Sequence, residues 1–256
     1  MTMVRVGLAR AVALLGIGLL AVGCTVVTGG KAQAPPRSGP RSVTGQTIRD
    51  VLLDNSMLGR ILDQPFIIDR RLPPRYGGPE ALENFGVASS ADCLGVAEML
   101  HHSVYQPGKV NDVAFETWRH ADRTSKLTAI KEGVVSLPTA ADANALFAKF
   151  AQQWPKCNGQ ALLLPDPVFR LRAKISDVKV APALLAGTVA VVFDSSRSEA
   201  PAIPAGRAIG VRANCLVEVE VDFFNTSNQS LQGSGLSNAT ATNIAQVMMD
   251  RVSALI

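Results

Sequence analysis

Residues 215–223 read Cys215-Leu216-Val217-Glu218-Val219-Glu220-Val221-Asp222-Phe223, apolar at every odd position and acidic at every even one from Glu218 onward. A period of two marks an extended chain whose successive side chains point to opposite faces of a sheet. The pattern puts Cys215, Val217, Val219, Val221 and Phe223 on a core face, and it expects Glu218, Glu220 and Asp222 to meet water.

Working outward, the same period recurs upstream at Phe169, Leu171, Ala173 and Ile175, which alternate with Arg170, Arg172 and Lys174. It recurs again over Thr188 to Phe193 and Arg207 to Val211. The basic row and the acidic row read as solvent sides of two-faced strands, free to pair across the sheet and set its register. Val113 to His120 and Leu127 to Leu137 give two further strands joined by the polar tip Asp122-Arg123-Thr124-Ser125.

Helices fall between and after these strands. Thr139, three residues before Asp142, has capping-box spacing and opens a helix with Ala143, Leu146, Phe147 and Phe150 on its buried stripe, closed by Trp154-Pro155. A second is expected from about Ser90 or Ala91 to Tyr105, with Cys93, Val96, Ala97 and Leu100 in line. A helical turn or two carries Met57, Leu58, Ile61 and Leu62, capped by Asn55 or Ser56, and a last helix runs from about Asn238 through Ile244, Val247, Met248 and Val252. Antiparallel runs with two or three long helices argue α+β rather than a doubly wound sheet.

The amino end is built differently. Arg5 and Arg10 precede the apolar run Ala11–Val22 and then Gly23-Cys24, with no acid among them. This is the layout of an export signal, and the run is shorter than the roughly twenty residues that a spanning helix needs. The stretch Leu20-Ala21-Val22-Gly23-Cys24 resembles the lipobox read by prolipoprotein-processing enzymes. Residues 1–23 are therefore expected to be removed and Cys24 to be lipidated, its acyl chains anchoring the protein to the outer side of the cell membrane. Residues 24–43, with Pro35-Pro36 and Gly39-Pro40 and no apolar periodicity, read as that lipidated cysteine and a flexible linker. Residues 44–256 are left for one folded domain.

Removing the leader lowers the formal charge from +4 to about +2. Dispersed cations in an exported chain exclude a nucleic-acid partner. After Cys24, three cysteines remain, Cys93, Cys157 and Cys215, in a compartment where disulfides persist. One pair and one spare follow, and three pairings are open.

Chemistry-bearing motifs are sparse. His101 and His102 are adjacent, so on a helix they diverge by about 100° and do not share a metal; they read as a surface pair. Gly233-Ser234-Gly235 lacks the spacing of a nucleophile elbow, and no phosphate-cradling loop or metal-binding helix motif occurs. No cofactor or metal is expected. Trp118 alternates with Glu116 and His120 along one strand, a mixed polar and aromatic set suited to a ligand-binding cleft wall, while Trp154 reads as a core plug beside Cys157.

Ser90-Ala91-Asp92-Cys93, Pro138-Thr139 before an Ala-rich helix, Trp154-x-x-Cys157, and Val211-Arg212-Ala213-Asn214 before Val217-Glu218-Val219 together resemble the PknH-like sensor-domain family. The likeness runs from about Val51 to Leu255. Members occur as the extracellular domain of a mycobacterial serine/threonine kinase and as free lipoproteins. The resemblance implies an antiparallel sheet with helices mainly on one face and a central cleft that binds an unidentified extracellular ligand. It also implies a Cys157–Cys215 disulfide, because the family ties its W-x-x-C region to the later strands, with Cys93 as the alternative partner.

Three functions follow. The first is a non-catalytic lipoprotein whose cleft holds a small ligand, a lipid or a cell-wall fragment. The second is a protein-interaction module docking on another envelope protein. The third is a hydrolase with a triad assembled from His120, Asp112 and a serine.

Overall fold

In the computed structural model, described at residues 42–84, 91–121, 127–164, 171–193, 202–223 and 234–256, nine strands form one antiparallel sheet. The leader, Cys24, the linker up to residue 41, the tip at 122–125 and the pair Phe169-Arg170 lie outside the described residues. Strands β1 (Phe66–Ile68) and β2 (Arg75–Gly77) share one edge of β3 (Asp112–His120), which pairs with β4 (Leu127–Ser136). A meander follows: β5 (Ala161–Leu164), β6 (Leu171–Ala181), β7 (Leu184–Phe193), β8 (Ile203–Arg212) and β9 (Cys215–Phe223). Strand β9 then closes against β4, with Val217 opposite Val134 and Glu220 opposite Lys131.

The helices are α1 (Asn55–Leu62), α2 (Leu94–Ala97), α3 (His102–Tyr105), α4 (Ala140–Cys157) and α5 (Ser234–Ala254). The α+β class and the antiparallel sheet stand as read. The helices cover both faces, however, rather than mainly one: α4 packs with residues 79–84 and 91–105 on one side, and α5 with residues 43–62 on the other. Every central strand therefore feeds two cores, Leu216, Ile209 and Val135 to the first and Val217, Ala208 and Val134 to the second. Gly210 allows this on the α5 side, since a Cβ there would run into the Met249 side chain.

Two-sided burial overturns the solvent face expected for β9. Glu218 and Glu220 are 2% and 8% exposed, because the described residues 79–84 and 91–105 lie on that face. The expected pairing with the basic row does not form either. Strands β7 and β8 stand between β6 and β9, a separation of about 14 Å at normal strand spacing, and Arg172 and Lys174 face solvent.

Local signals did better on α4, where Thr139 Oγ1 accepts from the Asp142 N–H at 3.1 Å. The helix runs through Pro155 to Cys157, although the proline has no N–H to give to the Ala151 carbonyl. The expected helix from Ser90 to Tyr105 is instead two short helices with an extended break at Glu98 and a left-handed Leu100 at φ 51. The break has a cause: the carbonyls of Gly95, Val96 and Glu98 all accept from the buried Arg207 guanidinium. Asp54, one residue earlier than expected, caps α1 by accepting from the Met57 N–H. Val43, placed in the linker by composition, is buried and hydrogen-bonded through both N–H and C=O to Asn214.

The disulfide joins Cys93 to Cys157, with Cα atoms 5.6 Å apart, and Cys215 is free and buried. The favoured Cys157–Cys215 pair is thus corrected to the alternative partner. Cys157 ends α4 on one face of the sheet while Cys215 points into the core on the other, so the sheet itself lies between them. Burial pushes the Cys215 thiol up to about 12, which leaves it a protonated, apolar filler.

Candidate functional site

The overturned solvent face of β9 is where the chemistry collects. Glu218, Glu220 and Asp222 of β9, Arg207 of β8 and Lys131 of β4 alternate onto this side of the sheet, and residues 79–84 and 91–105 are laid over it. Arg207, wholly buried, donates to Glu218 Oε2 at 2.7 Å as well as to the three carbonyls of the break, and its Nε lies 3.7 Å from Glu220. Glu218 Oε1 in turn accepts from the Tyr105 hydroxyl at 2.5 Å and the Leu100 N–H at 3.3 Å. One ion pair thereby pins the overlying segment at both of its short helices.

Beside this pin a cavity of about 380 Å³ opens between the sheet, the 72–83 stretch and the Glu98-Met99 pair. Its apolar wall is Leu72, Pro73, Met99 and Phe115. Its polar wall is Arg75, Glu83, Glu98, Lys131 and Glu220. Arg75 pairs with Glu83, and its guanidinium sits 4.5 Å from the centre of the Phe115 ring. Lys131 pairs with Glu220 and keeps 31% of its side chain open. Gly133 sits below, its missing Cβ leaving room for Leu100, whose Cδ1 would otherwise lie 2.7 Å away.

Charge states follow from burial. The Glu98 carboxyl is raised to about 7, first by burial and then by Glu220, against the opposing pull of Lys131 and Arg207. Asp222 is raised to about 6, chiefly by burial. Burial works against the Lys131 ammonium, yet Glu220 and Asp222 more than offset it and hold its pKa above the usual range. Glu220 itself is held low by Lys131 and Arg207 despite its burial.

Trp118, Glu116 and His120 come together, but on the opposite face of β3 from Phe115, and the cavity is lined without them. Trp118 is buried and its Nε1 donates to Glu132 Oε2 at 3.2 Å; Glu116 accepts from the Tyr76 hydroxyl; His120 stacks edge-on with Phe66 at 5.5 Å. Asp112 and His120 stand at opposite ends of β3, and Asp112 is engaged by Ser136 and the Gly45 N–H, so this triad does not assemble. His101 is buried rather than on the surface, with Nδ1 2.9 Å from Ser103 Oγ, while His102 is exposed.

Glu132, beneath Trp118, is a separate titrating group. Burial, the largest influence, pushes it up to about 8, and Glu116 directly across the strand pair adds to this against the N–H donors of Leu53 and Trp118. The folded state therefore keeps a proton that the unfolded chain loses near pH 4.5. Its contribution to stability is complete below about pH 4.5, shrinks as pH rises and is gone above about pH 8. We expect the stability of the wild type relative to Glu132→Gln to fall steadily over that window. Denaturant unfolding of both proteins at three pH values checks this, and parallel profiles would contradict it.

The family model described as PknH-like extracellular domain matches residues 43–251. The chain belongs to this family. A solved PknH-like structure, the crystal structure of the extracellular domain of PknH from Mycobacterium tuberculosis, shares the fold with a TM-score of 0.65 at 19% identity, covering 84% of this chain and 100% of that one. No curated protein matches. Membership of a PknH-like extracellular domain family implies an extracytoplasmic location, and among the described residues no helix is long and apolar enough to cross a membrane.

Of the cavity residues, the sequence pattern singles out Glu220 alone, as part of a solvated row. A signal for Arg207 was present, because it falls in phase with Ile209 and Val211 on one face of its strand. A cation in register with two core residues is itself a mark of a buried ion pair.

Proposed function

We propose that this PknH-like domain is the ligand-binding part of a lipoprotein anchored through acyl chains on Cys24 and standing outside the cell membrane. It is a non-catalytic module of the sensor type, and its cleft takes a small molecule. The observation that carries the reading is the cavity of about 380 Å³, within the range of small-molecule sites, with one apolar wall and a few convergent charged groups. The leader and lipobox in the sequence supply the anchor. No cofactor is invoked.

Two measurements test it. Intact mass analysis of protein from the envelope fraction is expected to give a chain starting at acylated Cys24, and Cys24→Ala should release the protein from the membrane. Native mass spectrometry of the same material is expected to show a retained small mass, which the cleft-filling Met99→Trp loses. A clean mass with a second envelope protein co-purifying would instead make this a docking module.

A further inference from the structure

We infer that the cleft takes a ligand bearing an ammonium-type cation, seated on the Glu98 carboxylate, with its apolar portion against Leu72, Pro73, Met99 and Phe115. This deepens the proposed function and rests on the cleft being the ligand site.

The charge census of the cleft carries the inference. Arg75 has Glu83, Lys131 has Glu220 and Arg207 has Glu218, so each cation already holds a carboxylate of its own. Glu98 is left over. Its carboxylate makes no hydrogen bond or ion pair among the described residues, although it lines the cavity and is largely buried. An anionic ligand would have to displace a carboxylate from Arg75 or Lys131 and leave it unpaired. A neutral ligand would strip water from Glu98 and return at most a single hydrogen bond, which offsets less of the cost of drying a carboxylate than a cation does. A cation is the one ligand charge that satisfies Glu98 and leaves the existing pairs intact. The face of Phe115 covered by Arg75 is closed to it, which leaves Glu98 as the seat and the rest of the apolar wall for the ligand's body. The raised Glu98 pKa is what an unpaired, desolvated carboxyl waiting for a partner displays.

The test uses the full chain in detergent with methyl-labelled methionine, and Met99 on the apolar wall as the reporter. Three probes of one shape are titrated at pH 8, where Glu98 is ionised: 4-phenylbutylammonium, 4-phenylbutanol and 4-phenylbutyrate. The ammonium is expected to saturate the Met99 shift at about tenfold lower concentration than the alcohol, and the carboxylate to be weaker still. Glu98→Gln, which removes no bond, should erase the advantage of the ammonium and leave the alcohol unchanged. Equal binding of ammonium and alcohol, or an advantage that survives Glu98→Gln, overturns the assignment of charge while the cleft reading stands. If no probe moves Met99, the cleft reading fails and takes this inference with it.

Discussion

Replacing Arg207 with methionine is expected to cost about 3–5 kcal/mol and lower the thermal midpoint by about 10 °C, the largest effect of any single substitution proposed for this domain. The guanidinium is wholly buried, pairs with Glu218, and holds the carbonyls of Gly95, Val96 and Glu98. Methionine fills much of the volume but leaves Glu218 charged and buried, together with three carbonyls stripped of their donor. Removing the charge on both sides, in Arg207→Met with Glu218→Gln, is expected to recover part of the loss, because the amide oxygen still accepts from Tyr105. Thermal and denaturant unfolding of the single and double variants measures both effects. A single variant as stable as the wild type would show that the pin is not what holds residues 91–105. The same variant should also weaken ligand binding, since Glu98 and Met99 ride on that segment.

The double variant Cys93→Ser with Cys157→Ser is expected to lose about 4 kcal/mol, the chain-entropy cost of opening a loop of that length. The sequence separation of 64 makes this a long crosslink, and it ties the segment carrying the cleft wall to α4. Cys215→Ala should cost less, about 1–2 kcal/mol, since a free buried thiol gives up only packing. Peptide mapping without reduction is expected to give one linked pair holding Cys93 and Cys157, with Cys215 alkylated only after unfolding. A linked Cys157–Cys215 peptide would reverse the assignment.

The two variants act on one element from two sides. The described residues 79–84 and 91–105 hold only helical turns of three or four residues each, and they stay in place through the disulfide, the Arg207 pin and the packing of Leu100 over Gly133. That organisation suits a binding wall, because its position depends on a few strong contacts rather than on a continuous backbone ladder.

What the chain declared by itself was local and periodic. The alternation at 215–223, the Thr139 cap and the apolar stripes of α4 and α5 each depend on residues within a turn or a strand of one another, and all of them were legible. The cleft was not. Alternation tells that Glu218 and Glu220 share a face and Val217 and Val219 the other; it does not tell whether a distant, irregular segment lies over the acids. Once Arg207, Lys131 and residues 91–105 are brought to that face, the acids become buried partners instead of a solvated row. The cysteine pairing was decided in the same way, since only the placement of β9 between two cores shows that the sheet separates Cys215 from Cys157. Burial is a property of what packs against a residue, and here that partner comes from more than a hundred positions away, as with Leu100 on Glu218.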